Sequence, residues 1–388
     1  MSTGATHVVG GDVLLPGGVE RTDVTVSDGR IRCIGSTADI GTDDVVLDVS
    51  GMLVAPGLID LQCNGAGGAD VTDDAGAIGT LSTVLPRFGV TSFLPTVVTS
   101  DAKSRRAAIE ALIGFQPHGA TARPLGLHFE GPAISPDHLG AHNAALVASP
   151  RMLSEEIEEW TQSGAVALVT LAPELDGGIA AIEQLCSGGV VVFAGHTSMT
   201  PGVLQRARAA GLRGVTHLFN AMSAFAHRRP GPVGAVLADD FVVASVICDG
   251  IHVDPVAVRV AWRSLGAERF LLVSDSSAPL GQPAGCFRLG RRAVVYDGVG
   301  VRTPDGVLAG SALGLDQAVR NLIRFTGCTS TEALGAATAV PADVLGRADI
   351  GRITVGARGD LIILDEQLRL CRTMVAGVTA WSHSQAAS

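Results

Sequence analysis

Between about residue 57 and residue 345 the chain repeats one rhythm: a short apolar run, then a stretch rich in Ala, Leu and Arg with helical spacing. Eight apolar runs can be counted: Leu58 to Cys63, Ser92 to Val97, Pro124 to Phe129, Ala165 to Leu171, Val190 to Ala194, Gly214 to Leu218, Val242 to Cys248 and Phe270 to Ser274. Helical stretches fall between most of them, as at Ser104 to Ile113, Ser154 to Ser163, Ile179 to Cys186 and Pro201 to Ala210. A helix between two strands carries the chain back to its starting edge, so successive strands run parallel, and eight such units close on themselves. The fold class expected is therefore α/β, a TIM-like (β/α)8 barrel.

The flanks have another character. Val8 to Val54 shows short Val-rich runs separated by the turn signals Pro16-Gly17-Gly18 and Asp28-Gly29, and Gly351 to Trp381 is similar. Both ends are expected to pair in one small sheet unit, a β-sandwich domain made of residues 1–55 and 347–388, beside a barrel domain of residues 56–346. Phe287 to Arg302 reads as an inserted hairpin turning at Asp297-Gly298, and the tail from Ser382 as frayed.

Four ionisable residues stand at the ends of four apolar runs: Glu130, His196, His217 and Asp275. Parallel barrel strands deliver their last residues to one rim, so groups far apart in sequence converge there. Two imidazoles and a carboxylate suit a divalent ion such as zinc with a coordination position left open, and the second carboxylate is then free to handle a proton. Gly131 and Pro132 turn the chain out of the sheet immediately after Glu130, as a rim position requires.

The rest of the chain excludes other classes. A net charge of -10, with basic residues adjacent only as Arg105-Arg106, Arg228-Arg229 and Arg291-Arg292, leaves no footprint for nucleic acid. No apolar stretch approaches the roughly 18 residues of a membrane span. The first residues lack a basic segment followed by an apolar one, so a cytoplasmic location is the expectation. Seven cysteines, scattered singly, argue against a disulfide framework or a Cys-x-x-Cys metal site. The one lysine, Lys103, lies in a helical stretch away from any strand end.

The order and content of several segments make a more specific match. Pro56-Gly-Leu-Ile-Asp60, His128-Phe-Glu-Gly-Pro132, Gly140-Ala-His-Asn143, Thr170-Leu-Ala-Pro-Glu174, Gly195-His-Thr, Thr216-His-Leu-Phe-Asn-Ala-Met222, Asp249-Gly-Ile-His252 and Leu272-Val-Ser-Asp275 together resemble the N-acetylglucosamine-6-phosphate deacetylases of the amidohydrolase superfamily. The likeness runs over nearly the whole chain. It implies a metal held by Glu130, His196 and His217, with Asp275 taking a proton from the hydrolytic water and returning it to the departing amine. It further implies that His142 contacts the sugar and helps polarise the amide carbonyl, that Asn220 and Ala221 meet the phosphate, and that Leu308 lines the acetyl pocket. Arg228, with Arg229 as its alternative, and His252 correspond to phosphate and sugar ligands supplied across a homodimer interface.

Where many amidohydrolases carry His-x-His on the first strand, this chain has Gln62-Cys-Asn64. Neither amide is a strong transition-metal ligand, so one metal ion per subunit is expected, zinc first, with iron, manganese or cobalt also compatible. Gln62 and Asn64 are then left to the substrate. The partner expected is a phosphorylated amino sugar, with no nucleic acid and no membrane. The gluco or galacto configuration stays open, and a catalytically silent scaffold is the reading from another class, which would predict lost ligands.

Overall fold

The computed structural model describes residues 4–35 and 40–383. Eight parallel strands form the barrel: β1 (Leu58–Cys63), β2 (Val90–Val98), β3 (Leu127–Glu130), β4 (Val166–Leu171), β5 (Val191–Ala194), β6 (Gly214–Val215), β7 (Val243–Val246) and β8 (Phe270–Leu272). Each is hydrogen-bonded to the next in sequence order from β1 to β8. The ring closes through a parallel bridge between Cys63 and Ser276 and through Asp60, whose carboxylate accepts from the Ser274 amide at 3.2 Å and its hydroxyl at 2.5 Å. Burial pushes Asp60 up to about 6 even against these hydrogen bonds.

The helices form where the sequence places caps and apolar stripes. Ala102–Ile113 begins after Asp101, whose side chain accepts from Ser104 N, and Pro201–Ala209 begins after Thr200 with Pro at its first position. Leu315–Thr326 buries Leu315, Ala318, Val319, Leu322 and Phe325, one face at helical spacing, and stops at Gly327 with φ 77. Ser154–Ser163 has the bounds that the sequence predicts, and Gly178–Ser187 extends its prediction by one residue at each end. β6 has two residues where five are expected, because His217 already leaves the ladder with φ 34.

The flanks form two sheets, as a sandwich requires. A four-stranded sheet, Arg30–Ile34, Val24–Ser27, Thr6–Val9 and Val45–Asp48, contains only the N-terminal flank. The six-stranded sheet orders Val378–Ser382, Leu370–Val375, Leu361–Leu364, Leu53–Pro56, Asp12–Leu15 and Gly18–Arg21, and here the two ends of the chain meet, with Leu361 in register with Pro56. Between the sheets lies a separate apolar cluster that includes Val24, Ile31, Val54, Leu361 and Ile363. Ser382 is ordered in a strand, and the rest of the tail from residue 384 lies outside the described residues.

The insertion after β8 has three strands, Gly285–Leu289, Arg292–Tyr296 and Val301–Arg302. Asp297-Gly298 makes its second turn; the first is at Gly290-Arg291, which lacks the Asn-Gly or Asp-Gly signature that reveals a turn from sequence. Among the described residues no helix is long and apolar enough to cross a membrane, and all seven cysteines are free.

Candidate active site

The rim at the carboxyl ends of the strands opens into a cavity of about 170 Å³. Glu130 is the last residue of β3, and His196, His217 and Asp275 stand just beyond β5, β6 and β8, all buried and the last three with positive φ of 49, 34 and 47. Left-handed backbone at non-glycine residues is costly and persists only where the surroundings impose it. Here it turns each side chain inward at the point where its strand ends. Phe219 and Ala221 repeat the conformation, at φ 80 and 48, so the segment after His217 winds through alternating backbone hands. Such a path turns successive amides toward one side, the geometry of anion-binding backbone.

Glu130 Oε1 lies 3.0 Å from His196 Nε2 and 2.9 Å from His217 Nε2. His196 Nδ1 is 2.7 Å from the carbonyl oxygen of His138. A carbonyl only accepts, so Nδ1 carries the proton and Nε2 presents a lone pair to the carboxylate. Two lone pairs at that distance repel unless a positive species lies between them. Ligands about 2 Å from a tetrahedral ion are separated by about 3.3 Å, close to what is seen here. The donor set thus fits a divalent metal, with Glu130, His196 and His217 to hold it. Burial opposes ionisation of Glu130, but the close contacts with the His196 and His217 imidazoles outweigh it and hold the carboxylate well below its usual range. Burial also opposes the charged form of His217, yet its bond to Glu130 and the charges of Glu130 and Asp275 raise its pKa.

His142 stands equally near, since ligand atoms of Glu130, His142 and His196 lie within 4.8 Å of one another. Its tautomer sets it apart. Thr99 aims its backbone N–H at His142 Nδ1 from 3.4 Å and its hydroxyl from 2.7 Å. A backbone N–H only donates, so Nδ1 accepts and Nε2 carries a proton directed into the cavity. Burial, helped by the neighbouring His196, lowers the His142 pKa to about 3, which keeps the ring a neutral donor.

Asp275 receives a hydrogen bond from Asn64 Nδ2 at its Oδ1, 2.8 Å away. Burial and then the Glu130 charge push its pKa up to about 7. Asn64 thus touches the acid/base candidate directly, across 211 residues of chain. Gln62 is buried with both amide atoms unpartnered and does not line the cavity.

Asn64, Glu130, His142, His196, His217, Asn220, Ala221, His252, Asp275 and Leu308 all border this one cavity. The interface expectation for His252 is corrected. His252 reaches the cavity of its own chain, with Nδ1 on the Asp249 carboxylate at 2.6 Å, so it needs no second copy to deliver it. Arg228, by contrast, is exposed on the loop joined by the Ala226–Arg229 bridge and does not line the cavity of its own chain. Thr99, Leu289 and the buried His128 carry no local signal of a role here, because their partners come from segments distant in sequence.

A parallel eight-stranded barrel with carboxylate and imidazole groups gathered at its carboxyl rim defines a metal-dependent hydrolase of the amidohydrolase type. The chain belongs to the amidohydrolase family, whose model matches residues 53–382. It is 36% identical over 364 residues to the N-acetylglucosamine-6-phosphate deacetylase of Lysinibacillus sphaericus, covering 92% of this chain and 93% of that one. An N-acetylgalactosamine-6-phosphate deacetylase from Shewanella sp. (strain ANA-3) is 35% identical, with 97% and 96% covered. Among solved structures, the N-acetylglucosamine-6-phosphate deacetylase of Pasteurella multocida superposes with a TM-score of 0.90 at 27% identity, covering 98% of this chain and all of that one.

Proposed function

We propose that this chain hydrolyses the acetamide of N-acetyl-D-glucosamine 6-phosphate, giving D-glucosamine 6-phosphate and acetate. The observation that carries this reading is the meeting of Glu130, His196 and His217 with Asp275 and the N–H of His142 in one cavity. A divalent ion held by the first three, zinc and one per subunit in this reading, supplies the Lewis acidity that makes water a nucleophile near neutral pH. The protein's own groups do the rest. His142 Nε2–H donates to the acetyl carbonyl oxygen as negative charge develops there, a role suited to a ring that stays neutral. Asp275, with Oδ1 held by Asn64, uses its other oxygen to take the proton of the attacking water and deliver it to the amine nitrogen, which leaves as neutral amine.

The backbone around Asn220 and Ala221 receives the phosphate, and Leu308 borders the acetyl methyl. Arg228 acts on the phosphate of a second copy's substrate in a homodimer, since a guanidinium offers paired donors to phosphate and this one lies off its own cavity. The division into a terminal unit of residues 1–55 and 347–388 and a barrel of residues 56–346 belongs to the same proposal. The galacto epimer is the second reading, favoured by the likeness to the Shewanella enzyme.

Steady-state comparison of the two acetylated hexosamine phosphates and their unphosphorylated forms, with defined metal, tests this function. The gluco phosphate is expected to give the highest kcat/KM, and a higher value for the galacto phosphate would exchange the two readings. Arg228→Ala should raise KM for the phosphorylated sugar far more than for the unphosphorylated one. Equal effects on both would remove Arg228 from phosphate binding.

A further inference from the structure

Directly beneath the rim, where barrel interiors are usually filled by branched apolar side chains, this chain places polar ones, among them His128 on β3, Thr170 on β4 and Thr216 just after β6. All are buried. His128 Nδ1 is 3.0 Å from the carbonyl oxygen of Leu61 on β1, Nε2 is 2.8 Å from Thr170 Oγ1, and Thr170 Oγ1 is 2.6 Å from Thr216 Oγ1. The carbonyl accepts, so Nδ1 donates to it; in the neutral ring Nε2 must then accept, so Thr170 donates its hydroxyl proton to His128. With that proton used, Thr216 donates to Thr170. Every bond in the chain therefore has one direction, fixed by the carbonyl at its end.

The three residues adjoin each candidate ligand. His128 lies two residues before Glu130 on the same strand face, and Glu130 is itself in register with Thr170. Thr216 immediately precedes His217. Between them sits Gly195, the residue before His196: a Cβ there would stand 2.6 Å from Thr170 Cγ2 and 3.1 Å from Thr216 Cβ. The two threonines thus set how closely the strand carrying His196 can approach.

We infer that His128, Thr170 and Thr216 are positioning residues that hold Glu130, His196 and His217 at metal-binding separation. An apolar layer would fill the same volume, but van der Waals contacts vary softly with distance, whereas a directed hydrogen-bond chain ties strands β1, β3, β4 and β6 at defined separations. The inference rests on the metal reading above, and its test measures metal binding without substrate.

Thr170→Val keeps the shape and removes the hydroxyl, leaving His128 Nε2 and the Thr216 hydroxyl without partners. Divalent-metal affinity, read by competition with a chromogenic chelator, is expected to fall about 10–100-fold, the effect usual for residues that orient metal ligands. The visible spectrum of the cobalt(II)-loaded protein should change with it. Thr170→Ser should restore both, while KM for the sugar phosphate stays within about twofold in every variant that binds metal. Thr216→Val, which removes only the last donor, should shift affinity in the same direction by less, and it serves if Thr170→Val does not fold. Parental metal affinity in a folded Thr170→Val or, should that variant not fold, in Thr216→Val would overturn the proposal. So would a serine variant as impaired as the valine one, because returning the hydroxyl would then have restored nothing. A parent protein that binds metal but cleaves no hexosamine amide would instead overturn the substrate reading and leave the layer standing.

Discussion

The barrel rim and the terminal sheet pair are both built from strands around buried interiors, yet they treat polar groups in opposite ways. In the terminal unit an apolar cluster fills the interior, and the buried polar groups around it have dedicated partners: His7 meets Asp44 at 3.0 Å, and Asp360 takes a 2.8 Å bond from Arg358. At the rim, Glu130, His142, His196, His217 and Asp275 crowd together, the last three on left-handed backbone, and Gln62 beside them has no partner for either amide atom. One region is arranged for stability. The other gives up stability to hold groups ready for a ligand and a reaction.

Substitutions can break that contrast. Glu130→Gln removes the one negative charge that faces both His196 and His217, and should strip the metal and bring turnover to background; metal analysis and assay that found both intact would dissolve the distinction. Asp275→Asn should lower kcat by about 10²–10⁴-fold with the metal retained, and should abolish the acid limb of the pH–rate profile that protonation of this carboxylate produces in the parent. A near-normal rate would move the proton transfer to another group.

In the other region the signs reverse. Ile31→Ala, at a fully buried position whose amide bonds Ala357 O, should lower unfolding free energy by about 2–5 kcal/mol while kcat at 25 °C stays within twofold. A large fall in kcat without unfolding would mean that the two regions are coupled. The smallest expected effect sharpens the comparison at the barrel's upper loops. Asp70, buried against the Gly290 turn with Oδ2 unpartnered, is pushed up to about 7 chiefly by burial. Between its ordinary value and 7 the folded state holds a proton that the unfolded chain releases, so stability falls as pH rises through that window and levels off above it. Asp70→Asn should therefore gain about 1–2 kcal/mol over the parent at pH 8, a difference that shrinks toward pH 5. Thermal melts across this range check it, and a constant difference would refute the assignment.

Much of this architecture is legible in the residues. The barrel strands announce themselves as apolar runs, and their closing residues converge because parallel topology leaves them no other place. Caps such as Asp101 and Thr200 are local signals, read without knowledge of the fold. What stayed hidden depends on contacts with no local signature. The bond from Asn64 to Asp275 joins the first and last strands, and nothing in either segment points to the other. His128 reads as one more residue of a buried strand until Thr170 and Thr216 stand beside it. The placement of His252 followed an analogy between subunits, whereas its own Asp249 turns it inward within one chain. The first turn of the insertion, at Gly290-Arg291, has no Asn-Gly or Asp-Gly pair to announce it, only the left-handed Gly290.

The pairing of Leu53–Pro56 with Leu361–Leu364 bears on how the chain is made. Synthesis runs from the N-terminus at about 5–20 residues per second, so the early strands leave the ribosome on the order of tens of seconds before their partner does. During that wait an apolar sheet face and an open edge are presented to the cell, and a neighbouring nascent chain offers the same missing strand. The clasp that finishes the molecule is thus also the point where two newborn copies can exchange segments, a hazard set by the wiring of the polypeptide.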